Sequence, residues 1–155
     1  MVTDGAERAL TARLGAEPFI DLVTFRSDGR PVHTPVWVGT DGQRLFVSTF
    51  GDSGKVARIR ADPRVAVAPC GGRGEIAPGT AYVTGRCELL TRSEFRPGVR
   101  AFKAKYGRHF SLMWATRWGF RLVGKPRVWL LITLTPDIVV VVDPPPPGPP
   151  SGTSP

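Results

Sequence analysis

The chain has 155 residues, of which 41% are apolar, and this size and content are typical of one globular domain with a sizeable core. It carries 21 Lys and Arg against 13 Asp and Glu, and the net charge of +8 favours an anionic partner. Its longest apolar run, residues 128–134, is far too short to cross a bilayer, which argues against a membrane protein.

The N-terminal segment predicts a helix and gives no indication of secretion. Asp4–Leu14 has helical composition and begins with an acidic residue that favours a helix start. The residues after Met1 lack the apolar stretch of a signal peptide. We therefore expect a cytoplasmic protein in which Cys70 and Cys87 remain reduced thiols.

A meander of three strands is predicted next. Asp28-Gly29 and Asp41-Gly42 are strong hairpin signals, and each lies between two runs of strand-like composition. Pro35 cannot donate a hydrogen bond to a neighbouring strand, so the second strand is expected to have an edge or a bulge there. The three predicted strands are Phe19–Phe25, Pro31–Thr40 and Arg44–Thr49.

The rest of the chain adds three strands and a few helices, so the pattern predicts an all-β or α+β barrel rather than a doubly wound parallel sheet. Seven of the 16 prolines lie in Asp143–Pro155. We expect one domain over residues 1–142, followed by a tail over 143–155 that is disordered or polyproline-like. The predicted strands are Arg64–Pro69, Thr80–Leu90 and Arg127–Pro136, and the predicted helices are Gly54–Arg60, Ser93–Tyr106 and Phe110–Trp118.

Small and basic residues gather where the third strand meets its helix. Ser48, Thr49 and Ser53 supply hydroxyl groups, and Lys55 supplies a charge beside the unpaired N–H groups of a helix start. This is not a nucleotide-binding loop, because Thr49 stands where that motif needs glycine and Val56 where it needs Ser or Thr. The residues alone leave two interpretations open: an ordinary helix cap with Lys55 in solvent, and a binding site for an anion.

The segment Val23–Cys70 resembles the split β-barrel flavin and deazaflavin oxidoreductases, which are the pyridoxamine-phosphate-oxidase-like proteins, and most of all their F420-dependent actinobacterial branch. The matching pattern is T-x-R-x-D-G-x-P-x-x-T-P-V-W, a D-G hairpin, then D-S-x-K-V and R-x-x-P-R-V. The run KYGRHFSLMWATRWG at 105–119 and the last strand are also similar, so the likeness covers roughly residues 17–136. It implies a mainly β (α+β) chain folded as a six-stranded antiparallel split β-barrel.

The resemblance also implies a function: an F420-dependent oxidoreductase that transfers hydride between F420H2 and an unsaturated or electron-poor organic substrate. It implies a homodimer with the cofactor at the subunit interface. The implied phosphate-binding residues are Ser48, Thr49, Ser53, Gly54, Lys55 and Val56. The residues implied to lie along the ring system are Thr34, Pro35, Val36 and Trp37.

The chemistry of this cofactor suits a basic protein. F420 carries a phosphodiester and a polyglutamate chain, both anionic, and ten Lys or Arg lie from Arg92 to Arg127 against one acid, Glu94. A solvated basic face is the alternative interpretation of that stretch. Hydride transfer needs a positioned cofactor rather than a protein nucleophile, so no catalytic residue is assigned.

Three other functions remain open at this point. One is an FMN-binding oxidoreductase of the same fold, and another is a non-catalytic protein that carries a cofactor or a tetrapyrrole. Nucleic-acid binding by the basic stretch is disfavoured, because the sequence shows no exposed row of aromatic residues for stacking. No Cys, His or carboxylate spacing is typical of a metal site, so we expect no metal. His33, Tyr82 and Tyr106 are candidate proton donors.

Overall fold

The helices and strands begin and end close to where the sequence pattern places them. The computed structural model of the chain describes residues 4–91, 93–107 and 127–140. Within these ranges the elements are α1 (Asp4–Gly15), β1 (Phe19–Phe25), β2 (Pro31–Val36), β3 (Gly39–Thr40), β4 (Leu45–Phe50), α2 (Gly54–Ala61), β5 (Arg64–Cys70), β6 (Tyr82–Leu90), α3 (96–107) and β7 (Arg127–Val140).

The strands form one antiparallel sheet in the order β2-β1-β5-β6-β7-β4-β3. Both Asp-Gly signals are turns, because Gly29 and Gly42 adopt φ values of 85° and 90°, which only glycine adopts without strain. The mainly β, antiparallel fold predicted from the sequence is confirmed. Among the described residues the sheet has seven strands, whereas the sequence predicted six.

The extra strand arises because the predicted strand Pro31–Thr40 divides into β2 and β3. The break falls at Trp37 and Val38. The Val38 N–H donates to the Tyr106 hydroxyl at 3.2 Å, and the Val38 carbonyl accepts from the Lys105 ammonium at 2.7 Å. Since α3 takes both backbone groups of Val38, that residue is not available to a neighbouring strand.

The sheet curls around a core formed by alternate residues of its strands. Ile20, Leu22, Val47 and Ile132 are fully buried in this inner cluster, and Leu14 of α1 closes one side of it. Burying aliphatic side chains of this size contributes about 1.5–3 kcal/mol each. The opposite face of β4 and β7 packs on α3 through a second cluster, which comprises Phe46, Phe102, Trp129 and Leu131.

Strand β7 continues to Val140, four residues beyond the predicted end at Pro136, because a bulge accommodates the proline. Between the pairs Val83–Val139 and Gly85–Leu134, the chain advances two residues along β6 and five residues along β7. A Cβ at residue 85 would lie 2.7 Å from the Thr133 carbonyl oxygen, so this approach of the two strands requires glycine.

Two predictions fall on residues that the structure does not describe: the helix at Phe110–Trp118, and the disordered or polyproline-like tail. Among the described residues, no helix is both long enough and apolar enough to span a bilayer.

Candidate functional site

The first turn of α2 begins directly after β4 and presents an uncapped helix start. Ser53 occupies the N-cap position with extended backbone angles, φ −73° and ψ 150°, but its side chain makes no capping hydrogen bond. The Ser53 hydroxyl oxygen is buried and has no hydrogen-bond partner among the described residues. The N–H groups of Gly54 and Lys55 belong to the first turn of α2, so they also lack an intrahelical acceptor.

Lys55 and Arg58 surround this helix start with positive charge. The half-buried Lys55 ammonium donates to the Thr49 hydroxyl at 2.8 Å. The Arg58 guanidinium donates to the Thr24 hydroxyl at 2.7 Å. One of its terminal nitrogens is 2.9 Å from the position a Cβ on Gly54 would take, so Arg58 lies over the first turn of its own helix.

Arg127 is a third cation whose charge reaches Lys55, and the sequence analysis placed it only within the basic stretch that begins at Arg92. It donates from Nε to the Ser48 hydroxyl at 3.2 Å, and its guanidinium carbon lies 4.9 Å from the centre of the Phe50 ring. Pairing of β4 with β7 places Phe50 opposite Arg127. This register depends on two strands that are 77 residues apart in the sequence, and no local motif marks it.

The charges of Arg58 and Arg127 both act on Lys55. Burial, together with the charges of Arg58 and Arg127, lowers the pKa of Lys55 from its ordinary value of 10.5. Burial and the charge of Arg26 likewise lower the pKa of Arg58. Within the described ranges neither Lys55 nor Arg58 makes an ion pair with a carboxylate. A bound anion would relieve this repulsion and supply acceptors for the unpaired donors.

The structure groups most of the predicted phosphate-binding residues. Thr49, Ser53, Gly54 and Lys55 lie together at the β4–α2 junction. Ser48 points to the other face of β4, beside Arg127. Val56 is fully buried in the core, and its N–H donates to the Ser53 carbonyl at 3.1 Å. Its side chain therefore packs the start of α2 against the core rather than facing a ligand.

The four residues predicted to lie along the ring system do not form one wall within this chain. Thr34 and Val36 face the inside of the sheet, and Val36 is 8% exposed in the core. Pro35 is exposed on the opposite face. Trp37 stacks on Tyr106, with ring centres 5.2 Å apart and planes at 22°. Their contact with a cofactor ring therefore stays a prediction.

Thr34 nevertheless connects this strand to the cation cluster. Leu22 pairs with Thr34 and Thr24 pairs with Val32, so Thr34 and Thr24 are diagonal neighbours on the inner face. Thr24 is the residue that holds Arg58. The anion site and the edge strand β2 are thus joined through β1.

The candidate proton donors are held by other parts of the protein. The buried Asp21 carboxylate accepts from the Tyr82 hydroxyl at 2.8 Å, and its same oxygen lies 2.5 Å from His33 Nδ1. Burial and Asp21 raise the pKa of Tyr82. Tyr106 contacts the backbone at Val38 and Pro18. None of these groups points into the β4–α2 junction through a described contact.

Neither cysteine has the character of a nucleophile. Burial, with smaller contributions from nearby carboxylates, raises the pKa of the Cys70 thiol to about 12. Burial, with the charge of Glu88, does the same for Cys87. In the part of the chain that the structure describes, no three Cys, His or carboxylate side chains gather as a metal site would require.

Residues 6–135 match the model of the pyridoxamine 5′-phosphate oxidase family. The chain therefore belongs to this family, and its curled antiparallel sheet is the family's split β-barrel. No curated protein matches the chain significantly.

Solved structures with this fold come from proteins with different ligands. A structure described as F420 reductase is 20% identical, with a TM-score of 0.52, over 79% of this chain and 91% of the reductase. An FAD-binding protein from Mesorhizobium loti is 21% identical, with a TM-score of 0.52, over 84% of this chain and 87% of its own. The heme storage protein HutZ from Vibrio cholerae is 14% identical, with a TM-score of 0.55, over 85% and 90%. At these identities the likeness shows the fold alone.

Proposed function

We propose that this protein is an F420-dependent oxidoreductase that transfers hydride between F420H2 and an unsaturated or electron-poor organic substrate. The observation that carries the proposal is the β4–α2 junction. There the buried Ser53 hydroxyl has no described partner, and Lys55 and Arg58 have no carboxylate. Donors and charge of this kind fit a phosphate group.

The residues at this junction have distinct roles in holding the phosphodiester of F420. The Ser53 hydroxyl and the N–H groups of Gly54 and Lys55 donate hydrogen bonds, and the Lys55 ammonium adds charge. Arg58 lies over the first turn of α2 and adds a second positive charge beside the phosphate oxygens. Thr49 holds the Lys55 ammonium in place through its hydroxyl, which keeps the charge oriented before the ligand arrives.

The deazaflavin supplies the hydride chemistry when it is bound, and the protein supplies position and a dry environment. The apolar core beneath the junction excludes water from one side of the anion site, because Val56 and Ile59 of α2 are buried there. Thr34 is the diagonal neighbour of Thr24 on the edge strand β2, where the ring system is proposed to lie. No proton donor is assigned.

We also propose that the protein acts as a homodimer with the cofactor at the subunit interface. Support comes from the family, and from the incomplete wall that Thr34, Pro35, Val36 and Trp37 form within one chain. A second copy would supply the missing side of the ring site.

An FMN-binding oxidoreductase is the second candidate. The anion site accepts a phosphate monoester by the same contacts as a phosphodiester, and one protein of this fold is described as FAD-binding. A carrier of a tetrapyrrole is the third, since another protein of this fold stores heme.

A binding screen separates these candidates. Purified protein would be titrated with F420, FMN, FAD and biliverdin, using cofactor fluorescence or absorbance. The proposal predicts micromolar or tighter binding of F420, and hydride transfer to an enone or nitro compound. Tight FMN binding with no F420 binding would replace it by the second candidate, and binding of biliverdin alone would replace it by the third.

A further inference from the structure

A groove of about 340 Å³ lies between α1 and the adjoining ends of β5 and β6. Its volume is at the lower end of the range for sites that hold small ligands. Most of the side chains that line it are apolar: Leu10, Leu14, Pro69, Ala81 and Val83. Pro69 and Ala81 are exposed, so part of this apolar surface is uncovered within the described chain. It shares no lining residue with the β4–α2 junction.

The last described strand leads the chain to the rim of this groove. Val139 pairs with Val83, and Val140 pairs with Tyr82. Since β6 and β7 are antiparallel, β7 at Val140 is directed toward Ala81 and Thr80, which line the groove. The proline-rich sequence DPPPPGPP begins three residues later, at Asp143.

We propose that the segment Asp143–Pro147 of this same chain binds in the groove between α1 and the β5–β6 ends. Proline segments favour the polyproline II helix, which has about 3.1 Å per residue, so four successive prolines span about 12 Å. This conformation is largely formed before binding, and docking it costs little further entropy. A short tether gives an effective concentration of the order of millimolar, so even a weak contact is occupied.

One basic residue, Arg13, and one acidic residue, Glu17, line the groove. Arg13 lines the groove, is exposed, and makes no ion pair in the ranges that the structure describes. Asp143 is the single acidic residue of the segment 141–155 and immediately precedes the prolines. Pairing Asp143 with Arg13 would orient the segment along α1, with its prolines over Leu10 and Leu14.

The test uses the full chain and methyl NMR of Leu10, Leu14 and Val83. Replacing Pro144, Pro145, Pro146 and Pro147 together by glycine removes the rigid apolar segment and keeps the length. We expect the three sets of methyl signals to shift, and the protection of the Ala81 amide against hydrogen exchange to fall by at least threefold. The matched control replaces Pro149, Pro150 and Pro155 by glycine, and should change these signals far less.

A second variant, Arg13→Glu, changes only an exposed charge and should produce shifts in the same direction as the Pro144–Pro147 variant. Identical methyl signals in the wild type and the Pro144–Pro147 variant would overturn the proposal. So would shifts that disappear when the wild-type protein is diluted tenfold, because the occupant would then be the tail of a second copy. Displacement by added F420 or FMN would likewise contradict it, since the groove would then belong to a ligand.

Discussion

Replacing Lys55 by Met tests whether this residue serves a ligand or the fold. In the ligand-free protein, the loss of the 2.8 Å contact with Thr49 is opposed by relief from burial and from the charges of Arg58 and Arg127. Lys55 is half-exposed, so solvent screening reduces both effects. We expect the free energy of unfolding to change by no more than about 1 kcal/mol.

Cofactor binding should respond much more strongly. A hydrogen bond between charged groups contributes about 1.5–3 kcal/mol, so the Kd for F420 should rise about 10- to 150-fold in Lys55→Met. Fluorescence titration gives the Kd, and urea unfolding of the free protein gives the stability. The control is Arg60→Met, which removes one exposed charge from the same helix and should change Kd by less than about threefold. An unchanged Kd in Lys55→Met, or a stability loss as large as the binding loss, would refute the reasoning.

Three further results are expected. Ser53→Ala should change the free energy of unfolding of the free protein by no more than about 0.5 kcal/mol in urea, because the Ser53 hydroxyl makes no described hydrogen bond and does not cap the helix. The same variant should bind F420 about 2- to 12-fold more weakly in a fluorescence titration. Because the pKa of Lys55 is lowered, titrations at increasing pH should show F420 affinity falling before pH 10.5, whereas Lys55→Arg should remove the decline. Gly85→Ala should cost about 1–3 kcal/mol in urea unfolding, because its Cβ would strike the Thr133 carbonyl, whereas Gly5→Ala, with open space around it, should not destabilise.

Local signals in the sequence predicted most of the fold. The Asp-Gly turns, strand alternation and the helix after β4 each depend on residues close together in the chain, and the structure has them within a few residues. The break between β2 and β3 was not predictable in this way. It depends on Lys105 and Tyr106, which reach Val38 from nearly 70 residues away. The bulge that carries β7 past Pro136 depends on Gly85 in another strand.

The grouping of residues at the candidate site was likewise predictable only where it depends on neighbours in the sequence. Ser53, Gly54 and Lys55 are consecutive, so their grouping follows from the start of a single helix. Arg127 joins them only through the register of β4 with β7, and no motif in its own segment indicates this. The placement of Pro35 and Trp37 away from the inner face follows from strand alternation and from the stacking of Trp37 on Tyr106. The family likeness could not supply these contacts.

The most direct test of the central claim is a crystal structure of the protein grown with F420. The account predicts a phosphate oxygen of F420 within hydrogen-bond distance of the Ser53 hydroxyl and the Gly54 N–H, with the Lys55 ammonium beside it. A phosphate bound elsewhere on the protein, with the Ser53 hydroxyl turned to cap its own helix, would contradict the account.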